Sequence, residues 1–186
     1  MNAWWYAWDG ELDNTDCDEL RLLTTQAEFK SGKVGQVDSS LNSKIRSSDV
    51  IGIDYTNPYS DFINNLIYKY IVMANRECFG FNLNGMYEFQ IGKYGKDDFY
   101  AEHMDSNLTN NTSQRKLSIT IQLSDSDEYE GGDFVFTKDI PSPDAELIRK
   151  KGTIIVFPSF LYHQVMPVTK GVRYSLVGWY EGNDWI

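Results

Sequence analysis

The sequence is poor in the residues that mark several classes of protein. It has only two cysteines, Cys17 and Cys78, which are too few for a disulfide scaffold and lack the spacing of a zinc site. We expect both to be reduced thiols. No run approaches the roughly 20 apolar residues that span a bilayer, and the N-terminus lacks the basic and apolar regions of a secretory signal. The sequence therefore predicts a cytoplasmic protein with no membrane segment.

Positive charge is also scarce. The chain has 17 lysine and arginine residues against 27 aspartate and glutamate residues, which gives a net charge of −10 and a pI near 4.6. Because phosphate backbones are bound through lysine and arginine, this balance disfavours a nucleic-acid partner. No internal repeat or low-complexity tract is evident, so the pattern does not favour a solenoid or a linker-like chain.

Two helices are predicted in the first part of the chain. Asp16 is a candidate N-cap, with Glu19 as its capping-box partner, for a helix that continues through Leu23. Apolar residues at helical spacing predict a second helix over Asp61–Met73. Residues 1–84 are thus predicted to form an N-terminal helical support.

From about residue 85 the apolar residues alternate with a period of two. Six short runs follow this pattern: Met86–Ile91, Phe99–His103, Leu117–Leu123, Phe134–Phe136, Thr153–Phe157 and Val172–Trp179. Many short strands without intervening helices predict a sandwich or barrel, and 41% hydrophobic residues are enough for its core. We predict a single α+β domain, 1–186, with a double-stranded β-helix (jelly roll) core over about 85–181 preceded by N-terminal helices.

The only two histidines fall in the strand-rich half. His103 and Asp105 stand at positions i and i+2, and side chains two apart on a strand point to the same face. Together with His163 they could form a facial triad of two imidazoles and one carboxylate, which is typical of non-haem Fe(II) oxygenases and leaves three coordination positions open. In a chain with 27 acidic residues, a His-x-Asp pair is not specific by itself.

Arg173 makes the histidine pattern more specific. It follows His163 by ten residues, beyond a turn predicted at Pro167–Gly171, so we expect it on the antiparallel strand next to that of His163. A guanidinium group there can hold a carboxylate in a bidentate manner, with Ser175 as a further donor on the same face. 2-Oxoglutarate needs such a partner for its C5 carboxylate while its 2-oxo acid end chelates a metal ion.

Seven stretches in the second half of the chain occur together in one order. They are Tyr94-Gly95, Phe99–Asp105, Arg115–Ser118, Tyr129–Gly132, Gly152–Ser159, His163–Val168 and Gly171–Ser175. In these stretches residues 85–181 resemble the catalytic core of 2-oxoglutarate/Fe(II) dioxygenases of the prolyl 4-hydroxylase type, and most closely the PKHD-type hydroxylases. The first 80 residues, including Arg46-Ser47-Ser48, resemble the family only loosely.

The resemblance implies a jelly roll with the iron at its open end. Three residues are implied as Fe(II) ligands: His103, Asp105 and His163. Four residues are implied to hold 2-oxoglutarate: Arg173 as its anchor, with Tyr94, Gln122 and Ser175 as further contacts. Dioxygen is the implied second co-substrate, and ascorbate is a candidate reductant.

The identity of the primary substrate stays open at this point. The resemblance implies a prolyl residue in a peptide or protein, hydroxylated while 2-oxoglutarate is decarboxylated to succinate; a free amino acid or another small metabolite is the alternative. A non-catalytic cupin-like binding module would explain the strands but not Arg173. A zinc hydrolase would usually carry His-Glu-x-x-His on a helix, which is absent. Residues 105–114 have the polar composition of either a mobile lid or an inert loop, and the sequence does not fix the oligomeric state.

Overall fold

The computed structural model describes residues 3–26, 28, 30–31, 45–106 and 114–183. The strands in this part of the chain are β1 Tyr6–Trp8, β2 Lys30–Ser31, β3 Arg46–Ser47, β4 Asp49–Ile53, β5 Leu83–Tyr94, β6 Phe99–His103, β7 Arg115–Gln122, β8 Tyr129–Gly131, β9 Phe134–Phe136, β10 Ile154–Pro158, β11 His163–Val165, β12 Val168–Gly171 and β13 Arg173–Gly182. The helices are α1 Asn14–Gln26, α2 Ser60–Ala74 and α3 Ala145–Arg149, and a π-helix, Asn75–Phe79, follows α2 directly.

The strands form two main antiparallel sheets. The large sheet has the order β1-β10-β7-β13-β5-β4-β2, and the small sheet has the order β3-β6-β11-β9. A further antiparallel pair joins β12 to β8. Neighbouring strands are often far apart in sequence, as β1 and β10 are. This arrangement of two facing antiparallel sheets agrees with the predicted jelly roll.

Both faces of the large sheet are covered, which explains why β10 is apolar at every position. Successive side chains on a strand point to opposite faces. Ile154 and Val156 pack into the cluster that contains the buried side of α2. Ile155 and Phe157 pack into a second cluster against the small sheet, where the rings of Phe157 and Phe134 lie 5.6 Å apart. The space between the sheets is therefore a filled core.

Helix α2 covers one face of the large sheet because its apolar residues recur every four positions. Ile63, Ile67 and Ile71 are fully buried, and each such side chain contributes roughly 1.5–3 kcal/mol relative to exposure. The predicted helix over Asp61–Met73 is confirmed and extends one residue further at each end, to Ser60–Ala74.

Helix α1 begins earlier than predicted because a different aspartate caps it. The backbone N–H of Asp16 donates to Oδ1 of Asp13 at 2.9 Å, which is the bond an N-cap side chain accepts from the third residue of a helix. The helix therefore starts at Asn14, and the prediction of Asp16 as its cap was wrong. Asp16 lies in the first turn instead.

The N-terminal part is not a purely helical support. Besides α1 and α2 it contributes β1, β2 and β4 to the large sheet and β3 to the small sheet. The region 30–49 begins with β2 and ends with β3 and the first residue of β4, and residues 32–44 lie outside the described part. The five-residue helix α3 interrupts the strand series without having been predicted.

All six strands predicted in the second half are present. Strands β6 and β9 match their predicted bounds, and β5, β7, β10 and β13 differ from theirs by up to three residues. The short strands β8, β11 and β12 were missed.

In the described residues, no helix has both the length and the hydropathy needed to cross a membrane. Cys17 and Cys78 are free thiols.

Candidate metal and co-substrate site

His103, Asp105 and His163 lie together at one end of the small sheet. His103 is the last residue of β6 and pairs across the sheet with His163, the first residue of β11. Nε2 of His103 lies 3.5 Å from Oδ1 of Asp105, and Nε2 of His163 lies 3.6 Å from Oδ2. Two atoms that are each about 2 Å from one ion can be at most about 4 Å apart. These two separations fit ligands of a single metal ion, and all three ligand atoms lie within 4.8 Å of one another.

Asp105 does not lie on the strand, as the i, i+2 argument assumed. Strand β6 ends at His103, and the N–H groups of Asp105 and Ser106 both donate to the carbonyl oxygen of Ser159 at 2.9 Å. This turn, rather than the alternation of a strand, brings the carboxylate back to the histidines. The prediction of a shared strand face was wrong, although the two side chains do meet.

Both imidazoles are oriented by backbone carbonyls. Nδ1 of His103 lies 2.9 Å from the oxygen of Ala101, and Nδ1 of His163 lies 2.9 Å from the oxygen of Leu161. A carbonyl oxygen can only accept, so in each neutral ring the proton is on Nδ1 and the lone pair is on Nε2. Nε2 is the atom that faces Asp105 in both cases, and a fixed tautomer of this kind is usual for metal-binding histidines.

The protonation states also suit a cation. Burial lowers the pKa of His163 to about 4, so its imidazole is neutral near pH 7. Burial alone would raise the pKa of Asp105, but the two neighbouring imidazoles and the hydrogen bond from Ser118 outweigh it and hold that pKa below its usual range. Metal ligands must be deprotonated to bind. Two imidazoles and one carboxylate are a donor set that Fe(II) accepts.

Arg173 is a buried cation without an acidic partner in the described part of the chain. Its side chain belongs to a residue only 3% exposed, and the ion pairs of the described arginines do not include it. Nη1 of Arg173 donates to Oγ of Ser175 at 3.3 Å, and its guanidinium carbon lies 5.7 Å from the centre of the Tyr94 ring. A buried charge is costly unless it is paired, so this group is suited to receive an anionic ligand.

Arg173 reaches the site from a different sheet than predicted. His163 begins β11 of the small sheet, whereas Arg173 begins β13 of the large sheet. Strand β12 lies between them in sequence and pairs with β8. The expectation that Arg173 stands on the strand beside that of His163 was therefore wrong. The two residues approach one core from the two sheets: Phe157 of the large sheet packs against His163 and shares its cluster with Tyr94.

The other predicted co-substrate residues lie beside Arg173. In the large sheet Tyr94 is the register partner of Arg173, and Gln122 is the register partner of Ser175. All four are at most 4% exposed. Nε2 of Gln122 donates to the hydroxyl of Tyr129 at 3.1 Å, while its Oε1 finds no hydrogen-bond donor among the described residues. The four residues form a buried polar patch on the face of the sheet that carries the anchor.

Known proteins are similar to the part of the chain that holds this site. The 2OG-Fe(II) oxygenase superfamily matches residues 89–181, half of the chain, and this stretch contains every residue of the site described above. A PKHD-type hydroxylase from Synechococcus sp. (strain CC9311) is 31% identical over 173 residues, which cover 91% of this chain and 74% of that protein.

The chain belongs to the 2OG-Fe(II) oxygenase superfamily.

Solved structures relate this oxygenase to the prolyl hydroxylases at the level of the fold. A prolyl-4-hydroxylase from Pseudomonas putida has a TM-score of 0.74 at 21% identity and covers 97% of this chain and 94% of its own. A prolyl hydroxylase from Trichoplax adhaerens, bound to a peptide fragment of the hypoxia-inducible factor oxygen degradation domain, has a TM-score of 0.72 at 16% identity and covers 96% of this chain and 83% of its own. Alignments to further PKHD-type hydroxylases span only about 40% of those relatives' length.

Two residues of the oxygenase beside the metal ligands were given no role from the sequence. The ring of Tyr100 stacks on His103 with centroids 3.5 Å apart, and the guanidinium carbon of Arg46 lies 4.5 Å from the centre of the Tyr100 ring. Arg46 is held by Ser48 at 2.7 Å and by Gln90 at 3.1 Å. The pairing of β3 with β6 brings them together, and no local spacing in the sequence indicates it. Of residues 105–114, predicted to form either a mobile lid or an inert loop, residues 107–113 lie outside the described part.

Proposed function

We propose that the protein is an Fe(II)- and 2-oxoglutarate-dependent dioxygenase that hydroxylates a C–H bond, and that its substrate is a prolyl residue in a peptide or protein. The observation that carries the proposal is that one core contains both a cluster of side chains that could hold a metal ion and a buried arginine without an anionic partner among the described residues. Three candidate ligands lie close enough together to share one cation, and Arg173 is buried without a carboxylate among the described residues. Fe(II) and 2-oxoglutarate together would complete both sites.

Each residue has a definite task in this proposal. His103, Asp105 and His163 hold the metal, and Arg173 binds the far carboxylate of 2-oxoglutarate. Tyr94, Gln122 and Ser175 complete the co-substrate pocket: Ser175 already contacts the guanidinium group, and Gln122 has an acceptor to spare.

When bound, the metal, 2-oxoglutarate and dioxygen supply the oxidising chemistry, in which one oxygen atom enters the substrate C–H bond as hydroxyl and the other enters succinate as CO2 is released. The protein orients these groups and excludes water from them. The aromatic residues around His163, among them Phe134 and Phe157, make such a dry environment. Ascorbate is a candidate reductant for keeping the metal as Fe(II).

The choice of a prolyl substrate rests on similarity. The Pseudomonas putida neighbour is described as a prolyl-4-hydroxylase, and the Trichoplax adhaerens neighbour holds a peptide. The net charge of −10 disfavours a nucleic-acid substrate. A free amino acid or small metabolite is the alternative substrate, and a non-catalytic cupin-like binding module is the alternative from another class. We further propose a cytoplasmic protein that folds as one domain, since the cluster around α2 joins residues from both halves of the chain.

The test is a mass-spectrometric assay with purified protein, Fe(II) and 2-oxoglutarate under air. Proline-containing peptides and free amino acids are added in parallel, and succinate and the mass of each candidate are measured. Succinate that depends on Fe(II), with a gain of one oxygen atom on a peptide, is the expected result. The same gain on free amino acids alone would move the proposal to the small-molecule alternative. Absence of any Fe(II)-dependent turnover of 2-oxoglutarate, with or without substrate, would favour the binding module.

A further inference from the structure

Two buried serines form a hydrogen-bonded chain that ends on Asp105. Oγ of Ser118 lies 2.7 Å from Oδ2 of Asp105, and Oγ of Ser159 lies 2.9 Å from Oγ of Ser118. Ser118 is 1% exposed and Ser159 is 0% exposed. The two serines come from neighbouring strands, because Ser118 lies in β7 opposite Phe157 of β10 and Ser159 directly follows β10. Both hydroxyl groups are therefore positioned by neighbouring strands of the large sheet.

The direction of the protons in this chain follows from chemistry. An ionised carboxylate only accepts hydrogen bonds, and a serine hydroxyl has one proton to donate. Ser118 must donate that proton to Asp105, so the proton shared between the two serines comes from Ser159. The order is Ser159 to Ser118 to Asp105, and each bond polarises and strengthens the next.

Ser159 also holds the backbone of Asp105. Its carbonyl oxygen accepts the N–H groups of Asp105 and Ser106, and its own N–H donates to the oxygen of Lys116 at 3.0 Å. The backbone of Ser159 thus fixes where the Asp105 turn lies, and the hydroxyl chain fixes how its carboxylate is rotated. Both controls come from the large sheet, whereas the two histidines belong to the small sheet.

We propose that Ser118 and Ser159 are positioning residues that lock the rotation of the Asp105 carboxylate and thereby set the affinity of the site for its metal ion. The inference rests on the proposed function, since it assumes that Asp105 is a metal ligand. Partners that orient the ligands of a metal site typically change metal affinity by about 10- to 100-fold when they are removed.

The experiment measures Fe(II) binding alone, by anaerobic calorimetry without 2-oxoglutarate. Ser118→Ala should bind Fe(II) about 10- to 100-fold more weakly than wild type, and Ser159→Ala should show a smaller loss. Because Ser159 acts through Ser118, the double variant should stay within about twofold of Ser118→Ala. Ser118→Thr keeps the hydroxyl and should bind more tightly than Ser118→Ala.

The matched control is Ser124→Ala. Ser124 is also a fully buried serine, but its hydroxyl accepts from the N–H of Tyr174 at 2.8 Å and makes no contact with the three ligands. Wild-type affinity in folded Ser118→Ala, or an equal loss in Ser124→Ala, would overturn the inference. If Ser118→Ala does not fold, unchanged affinity in Ser159→Ala would overturn it. Wild-type protein that takes up no Fe(II) would instead overturn the proposed function, and the inference with it.

Discussion

The two halves of the candidate site differ in how completely other protein groups pair with their polar and charged side chains. At the metal-ligand end, each imidazole has a backbone carbonyl as its hydrogen-bond partner, and the carboxylate of Asp105 accepts a hydrogen bond from the hydroxyl of Ser118. The ligands are therefore oriented before any ion binds. At the anchor end, Arg173 is buried with neutral contacts only, as far as the described residues go. The metal-ligand end is thus preorganised, whereas the anchor end carries a charge that only a ligand would neutralise. Substitutions at the two ends should therefore have different consequences.

The largest effect is expected at the metal-ligand end. Asp105→Ala removes the one anionic ligand and should weaken Fe(II) binding by more than about 100-fold, because even outer partners of metal ligands are worth 10- to 100-fold. His103→Ala and His163→Ala should behave alike. Glu102→Gln is the matched control, since this neighbouring acid pairs with Lys138 instead. Anaerobic calorimetry checks the result, and wild-type Fe(II) affinity in all three ligand variants would contradict the assignment.

The anchor end should give a large effect on a different ligand. Arg173→Ala should weaken 2-oxoglutarate binding by about 10- to 1,000-fold, because it removes a charge-assisted bond worth roughly 1.5–3 kcal/mol or more. Arg173→Lys keeps the charge but loses the planar, bidentate guanidinium group, so its affinity for 2-oxoglutarate should lie between those of wild type and Arg173→Ala. Fe(II) affinity should stay unchanged in both.

The control for the anchor is Arg21→Ala, which breaks a partly exposed pair with Glu128 and should leave 2-oxoglutarate binding intact. A sharper check uses the ligand-free protein. Because Arg173 is buried without an acid among the described residues, Arg173→Met should leave the melting temperature unchanged or raise it. A marked loss of stability together with normal 2-oxoglutarate affinity would show that Arg173 is a structural residue only.

The last comparison separates the two ends through the pH dependence of stability. The pKa of His163 is lowered from 6.5 to about 4, so between these values the unfolded chain binds a proton that the native metal-free protein does not. The free energy of unfolding should therefore fall as the pH falls through this window, by about 3 kcal/mol in total. His163→Gln should flatten this slope, whereas Arg173→Ala should keep it, since arginine stays charged throughout. Urea denaturation at a series of pH values measures both slopes, and equal slopes in wild type and His163→Gln would contradict the burial argument.

Local pattern was sufficient for much of the second half of the fold. The alternation of apolar residues predicted β6 and β9 with their bounds, and helical spacing predicted α2. The residues of the candidate site could be named because two histidines, one acid and one arginine stood at recognisable spacings. Their metal and co-substrate roles remain predictions that the experiments above would test.

What the sequence could not supply was long-range pairing. Strand β1 is three residues long and exists because β10, nearly 150 residues later, offers it a partner. The same holds for Arg46 and Tyr100, which meet through the pairing of β3 with β6. Asp105 was predicted to lie on a strand because the alternating pattern reflects only residues that are close in sequence. The carbonyl oxygen that turns the chain at Asp105 belongs to the distant Ser159. Such features depend on tertiary contacts rather than on propensity.

The order of the large sheet has a consequence for solubility. Its two outermost strands are its shortest, with three residues in β1 and two in β2, and short edge strands offer little backbone for another molecule to add to. Directly inside β1 lies β10, whose five residues are all buried. Removal of residues 1–9 would leave Ile154–Pro158 as an open edge of apolar strand, which is a template for edge-to-edge self-association. By pairing with β10, the three residues of β1 thus protect its edge from aggregation.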